Sequence, residues 1–117
     1  MFGLEGATVT AIKDQYGNRT SIGIKAMYTV AAPVADVVFV ATCDGVTSKP
    51  ETADDLVPLH KLHAGETLYA WELSLLLPKP LTKDRPDKCE LRASSKGKPL
   101  GTFCIAEGET DRGACPK

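Results

Sequence analysis

The sequence predicts an all-β fold, a two-sheet β-sandwich of about seven strands. Three observations carry this expectation. Runs of alternating apolar and polar residues recur at short intervals. Clusters of Gly, Pro, Asn and Asp separate them. No stretch sustains the i, i+3, i+4, i+7 apolar spacing of an amphipathic helix.

The first strand is expected at Ala7–Lys13, rich in β-branched residues, and the turn after it at Asp14–Arg19. The second runs from about Thr20 to Ala31. Ile22, Ile24, Ala26, Tyr28 and Val30 point one way, and Ser21, Gly23, Lys25, Met27 and Thr29 the other. Ala32-Pro33 breaks it. Asp36–Cys43 forms the third, apolar on both faces, as a central strand covered on both sides would be, or a strand whose second face makes a protein contact. Residues 44–55 read as a polar loop. Leu56–Leu62 reads as a short strand that Pro58 confines to an edge. His63–Glu66 reads as a turn. Thr67–Leu77 is the strongest strand, with Tyr69, Trp71, Leu73, Leu75 and Leu77 in one row at the centre of the core. Pro78, Pro80 and Pro86 predict an extended crossover. Asp87–Ser94 and Leu100–Ala106 form the last hairpin around Lys96-Gly97-Lys98.

The plan is immunoglobulin-like in general layout, with a small β-barrel as the alternative. It departs from a true immunoglobulin domain, because Cys43 ends the third strand and no Trp stands where that fold packs one against its disulfide. The 117 residues suit a single domain spanning 1–117, with the tail 107–117 tied down by a disulfide.

The four cysteines are Cys43, Cys89, Cys104 and Cys115. None forms a Cys-x-x-Cys pair, which removes the zinc-ribbon and thioredoxin patterns. Strand parity suggests how they pair. A hairpin loop with an odd number of residues, centred on Gly97, puts Cys89 and Leu91 on one face with Phe103 and Ile105. Cys104 is then on the other face, where the tail reaches it. Cys43–Cys89 and Cys104–Cys115 are favoured on this basis. A two-residue loop would instead set Cys89 opposite Cys104. Paired cysteines persist outside the cytosol, so a periplasmic or secreted protein is expected. Met1–Glu5 lacks the basic start and apolar middle of a secretory leader, so the leader is expected to be absent from this sequence. Four unrelated buried thiols in a cytosolic protein would be the plainer alternative.

Composition narrows function by exclusion. The 43% apolar and 25% charged content is that of an ordinary folded domain rather than a disordered chain. A net charge of -1 gives no reason to expect nucleic-acid binding. No apolar run approaches the roughly 18–20 residues of a membrane helix. Neither a Gly-x-Ser-x-Gly elbow nor a phosphate-binding glycine loop occurs, and Ser94-Ser95 has no neighbouring His. No catalytic residue and no cofactor is expected.

His60 and His63 are the only histidines. A metal site would need both plus further ligands such as Asp54 and Asp55. Positions three apart on a strand point opposite ways, so a bend near His63 would be required. Two exposed loop histidines are the simpler reading. Lys79, Lys83, Arg85, Lys88, Arg92, Lys96 and Lys98 make 79–98 locally basic, but Asp84, Asp87 and Glu90 are interleaved. This reads first as a solvated face, and otherwise as a docking surface for an acidic partner. Asn18-Arg19-Thr20 matches the N-glycosylation pattern in a turn.

The sequence therefore leads to a non-enzymatic extracytoplasmic interaction module that binds another protein or a cell-envelope component. A bacterial envelope accessory subunit or an inhibitor of a secreted enzyme is the expected form. The alternatives are a small metal-binding protein using His60 and His63, and an enzyme whose unfamiliar pocket joins Tyr69 or Trp71 to an acid.

Overall fold

The computed structural model describes residues 3–30, 36–52, 57–61 and 67–116; within these, only the backbone is described for 5, 27–30, 57–61 and 67–72. The protein is all-β, with 70% of its residues in strands and two antiparallel sheets packed together. One sheet runs β1 (Gly3–Lys13), β2 (Arg19–Val30), β7 (Thr67–Leu81), β6 (Val57–Lys61). The other runs β10 (Glu109–Arg112), β9 (Lys98–Ala106), β8 (Lys88–Ser95), β3 (Val37–Cys43), β4 (Val46–Thr47), with β5 (Glu51–Thr52) also paired to β3. The expected strands are all present. β4 and β5 arise inside the expected 44–55 loop, and β10 inside the expected tail.

The core is the set of inward rows that alternation selects. Ile22, Ile24 and Ala26 of β2 and Leu73, Leu75 and Leu77 of β7 face Val37, Phe39 and Ala41 of β3 and Leu91, Ala93, Phe103 and Ile105 of the last hairpin. Each fully buried large side chain among these, such as Phe39 or Leu75, contributes roughly 1.5–3 kcal/mol. The expected row on β7 is buried at Leu73, Leu75 and Leu77, while the side chains of Tyr69 and Trp71 lie outside those described. β3 lies inside its sheet, between β8 and the β4–β5 segment, but only its Val37, Phe39, Ala41 and Cys43 face is buried, and Val38 and Val40 on the other face are half-buried rather than covered as expected.

Local backbone devices set the registers. Gly6, with φ of 60°, sits where the β1–β2 register shifts between Glu5 and Thr8. This is a bulge, and it reverses the parity of β1. Leu4 and Ala7 therefore both reach the core although three positions apart. The strand thus begins well before the expected Ala7.

The last hairpin corrects the expected loop. Lys96 and Gly97, with φ of 51° and 80°, form a two-residue turn, and Ser95 pairs with Lys98. A register shift between Ala93 and Ser94 then leaves Leu100 as an extra residue on β9. The bulge restores the parity an odd loop was expected to supply, so Cys89 pairs with Ile105 and Leu91 with Phe103. Asp44-Gly45 and Glu107-Gly108 make the same kind of turn, each with both φ values positive. β7 also runs on through Pro78 and Pro80 to Leu81, where a crossover was expected. Both prolines are exposed, beyond the stretch of β7 that pairs with β6.

Two seams join the sheets at their margins. On one side, Ser48, a buried polar residue, completes the second edge of β3. Its Oγ accepts the Ala41 N–H at 3.0 Å and its N–H donates to the Ala41 carbonyl at 2.7 Å. The next residue, Lys49, donates its N–H to the Leu76 carbonyl of β7 at 2.9 Å. On the other side, β1 faces β10, and this margin holds the candidate site.

Candidate functional site

β1 is an edge strand, so alternate main-chain groups point away from β2. Two of these are clasped. The Ala7 N–H donates to Thr110 Oγ1 of β10 at 3.1 Å. The Ala11 N–H donates to the Asp84 carbonyl at 2.8 Å. Val9 lies between them in the same unbroken register as Ala11, paired to Ile24 as Ala11 is to Ile22. Period two therefore turns the Val9 N–H and C=O outward as well. No partner for them exists among the described residues.

Val9 lines a cleft of about 950 Å³. β1, the 85–87 segment, the ends of β8 and β9 and the Glu107-Gly108 turn surround it. Ala7, Val9, Ile105 and Ala106 give it apolar surface, and Lys25, Arg85, Asp87 and Glu107 give it charge. Asp87 is engaged, since its carboxylate accepts from Lys83 Nζ at 2.6 Å and holds the Lys83 ammonium above its ordinary pKa. Arg85 is exposed and has no ion-pair partner among the described residues.

The 84–88 segment that walls the cleft is pinned from both sides. Asp84 accepts from Arg19 Nε at 2.8 Å and lies 3.8 Å from Lys13 Nζ. The Arg19 hydrogen bond, then the Arg19 and Lys13 charges, keep its carboxyl below the usual aspartate range. The carboxylate of Asp44, in the β3–β4 turn, accepts the N–H groups of Asp87 at 3.0 Å and Lys88 at 3.3 Å. The cleft is thus edged by a strand and a braced loop, a setting that holds main-chain groups in place.

The cysteines form two bonds of different character. Cys43–Cys89 links directly opposed residues of β3 and β8 within one sheet, with Cα atoms 4.1 Å apart. It is not the inter-sheet bridge of an immunoglobulin domain. Cys104–Cys115 ties the tail to the outer face of β9. Phe103, Cys104 and Ile105 are consecutive and all buried, so both faces of β9 are covered there. The tail supplies the outer cover. The Gly113 N–H donates to the Thr102 carbonyl at 2.7 Å, the Cys115 N–H to Glu90 Oε1 at 3.1 Å, and Lys88 Nζ to the Pro116 carbonyl. Arg92 also reaches Glu90, at 3.3 Å.

The histidine candidates and their acidic neighbours fall outside the described side chains. His60 lies on β6 with only its backbone described, and His63, Asp54 and Asp55 lie outside the described residues. Among the described residues no three His, Cys, Asp or Glu side chains cluster as a metal site, and no helix is long and apolar enough to cross a membrane. The basic 79–98 stretch divides. Lys83 and Arg92 are in ion pairs, Lys88 holds the tail, and Arg85 faces the cleft. Asn18 is exposed at the end of a turn that Asp14 Oδ1 organises by accepting the Tyr16 and Asn18 N–H groups.

Sequence reading missed Val9, Arg85 and Glu107 as a group. They belong to separate segments, and only the β1–β10 juxtaposition unites them. One local signal was present. A lone Gly at position 6 beside a strand run marks a bulge, and bulges favour sheet edges. No protein-family model, curated protein or solved structure matches this chain.

Proposed function

We propose that this chain is a non-enzymatic binding module of the periplasm or the extracellular space, which holds another protein or a cell-envelope component at the β1–β10 margin. The observation that carries the reading is the outward N–H and C=O of Val9, left open between two clasps and bordered by charged side chains. Main-chain groups on a sheet edge are a recurrent means of gripping a polypeptide. Arg85 and Glu107 add charge that fixes orientation. The two disulfides support work outside the cytosol, where such bonds endure. In that compartment, an accessory subunit of a bacterial envelope assembly or an inhibitor of a secreted enzyme would use such an edge.

Site-specific photo-crosslinking tests this reading. A photoreactive residue at Thr10, beside the cleft, should capture a discrete partner in the native compartment, and one at Thr42, on the outer face of the other sheet, should not. The partner, purified, should then bind the purified chain and lose affinity for Arg85→Glu. Equal capture from both positions, or reconstituted binding that ignores Arg85→Glu, would count against it.

A further inference from the structure

The window at Val9 is one residue wide, and its width limits what can enter. A long partner strand laid along β1 would collide with Thr110 at one end and with the 84–86 segment at the other, because both already bond the neighbouring outward amides. The clasps also show what this edge accepts, namely an oxygen acceptor at strand spacing. The occupant must leave β1 ahead of Thr110, pair with Val9 and stop before Asp84, so only about three of its residues lie along β1. Arg85 follows Asp84 immediately and lines the same cleft, with no ion-pair partner among the described residues. A chain that ends there sets its terminal charge beside a guanidinium, the side chain best shaped for a carboxylate.

We infer, building on the binding-module reading, that the cleft captures the free C-terminus of a polypeptide whose last residues extend along β1 while the chain before them turns away from Thr110. The ligand runs parallel to β1. The carbonyl before the residue facing Val9 accepts the Val9 N–H, and the N–H after that residue donates to the Val9 C=O. The terminal carboxylate reaches Arg85. The apolar surface of Val9, Ile105 and Ala106 takes the side chains directed inward.

The probe is an acetylated hexapeptide of alternating valine and threonine with a free C-terminal carboxylate, beside the same peptide as a C-terminal amide. Both are titrated into the oxidised full chain and followed by amide chemical shifts. The carboxylate form should shift the Val9 amide saturably and bind about tenfold or more tightly than the amide form. Arg85→Gln should erase that preference. Val9→Pro should abolish binding of both peptides. It removes only an outward N–H, so the β1–β2 ladder is left whole, and a retained β-sheet spectrum checks this. Absence of a saturable shift at Val9 at millimolar peptide, or equal binding of the two peptides, would overturn the inference. Saturable shifts confined to another face would do the same while leaving a binding module standing. Four free thiols in protein taken from its native compartment would remove the extracytoplasmic reading without touching the cleft.

Discussion

The two disulfides are the same bond placed in opposite surroundings. Cys43–Cys89 closes 46 residues and Cys104–Cys115 closes 11. Chain entropy alone assigns them about 4 and about 3 kcal/mol, a small difference. Their environments differ far more. Cys43 and Cys89 are 0% and 1% exposed and pack with the central apolar rows. Cys104 is covered on its outer face by a short tail, and Cys115 is half-exposed. The first bond is part of the core, and the second is a clip on the surface. Burial, more than loop length, sets their separate roles.

Removing the core bond should have the largest effect. Cys43→Ala with Cys89→Ala loses the loop constraint and leaves a packing defect, so a loss of about 4 kcal/mol or more is expected in urea unfolding. Cys104→Ala with Cys115→Ala should cost no more than about 3 kcal/mol. Its signature is local, with faster hydrogen exchange at 109–116 and none at the β3–β8 amides. If both double variants lower stability equally and globally, the distinction between core bond and clip fails.

A third change tests the opposite margin. Ser48→Ala leaves the buried Ala41 N–H without its acceptor, and should cost about 1–3 kcal/mol. The smallest effect belongs to the surface charges. The carboxyl of Asp84 is held below its ordinary range, so its contribution is present above the unfolded-state pKa and lost as pH falls through the folded value. Stability should decline in that acidic window, and Asp84→Asn should remove its share of the decline. Salt should weaken the same contribution at neutral pH, since the group is exposed.

The sheets were legible in the sequence because a half-buried strand writes its burial as alternation, as β2 and β7 do. The pairing of the cysteines followed from parity, although the device that sets it did not. Nothing at Leu100 distinguishes a bulged residue from an ordinary strand residue, so an odd loop stood in for a two-residue turn plus a bulge. β4 and β5 escaped notice because two-residue strands carry no period. The cleft was illegible for a different reason. Val9, Arg85 and Glu107 are ordinary residues in three segments, and their importance arises only where β1 meets β10. The two histidines stood out by type alone, and their side chains lie outside those described.

The protein is a β-sandwich with one disulfide inside its core and a second that clips its tail to the outer face of β9. Graded reduction of the native protein, followed by alkylation and peptide mapping, separates the two bonds. Cys104 and Cys115 should be modified together at low reductant, while Cys43–Cys89 stays intact and the sheet spectrum is unchanged. Modification of Cys43 or Cys89 first, or peptides joining Cys89 to Cys104, would contradict this arrangement.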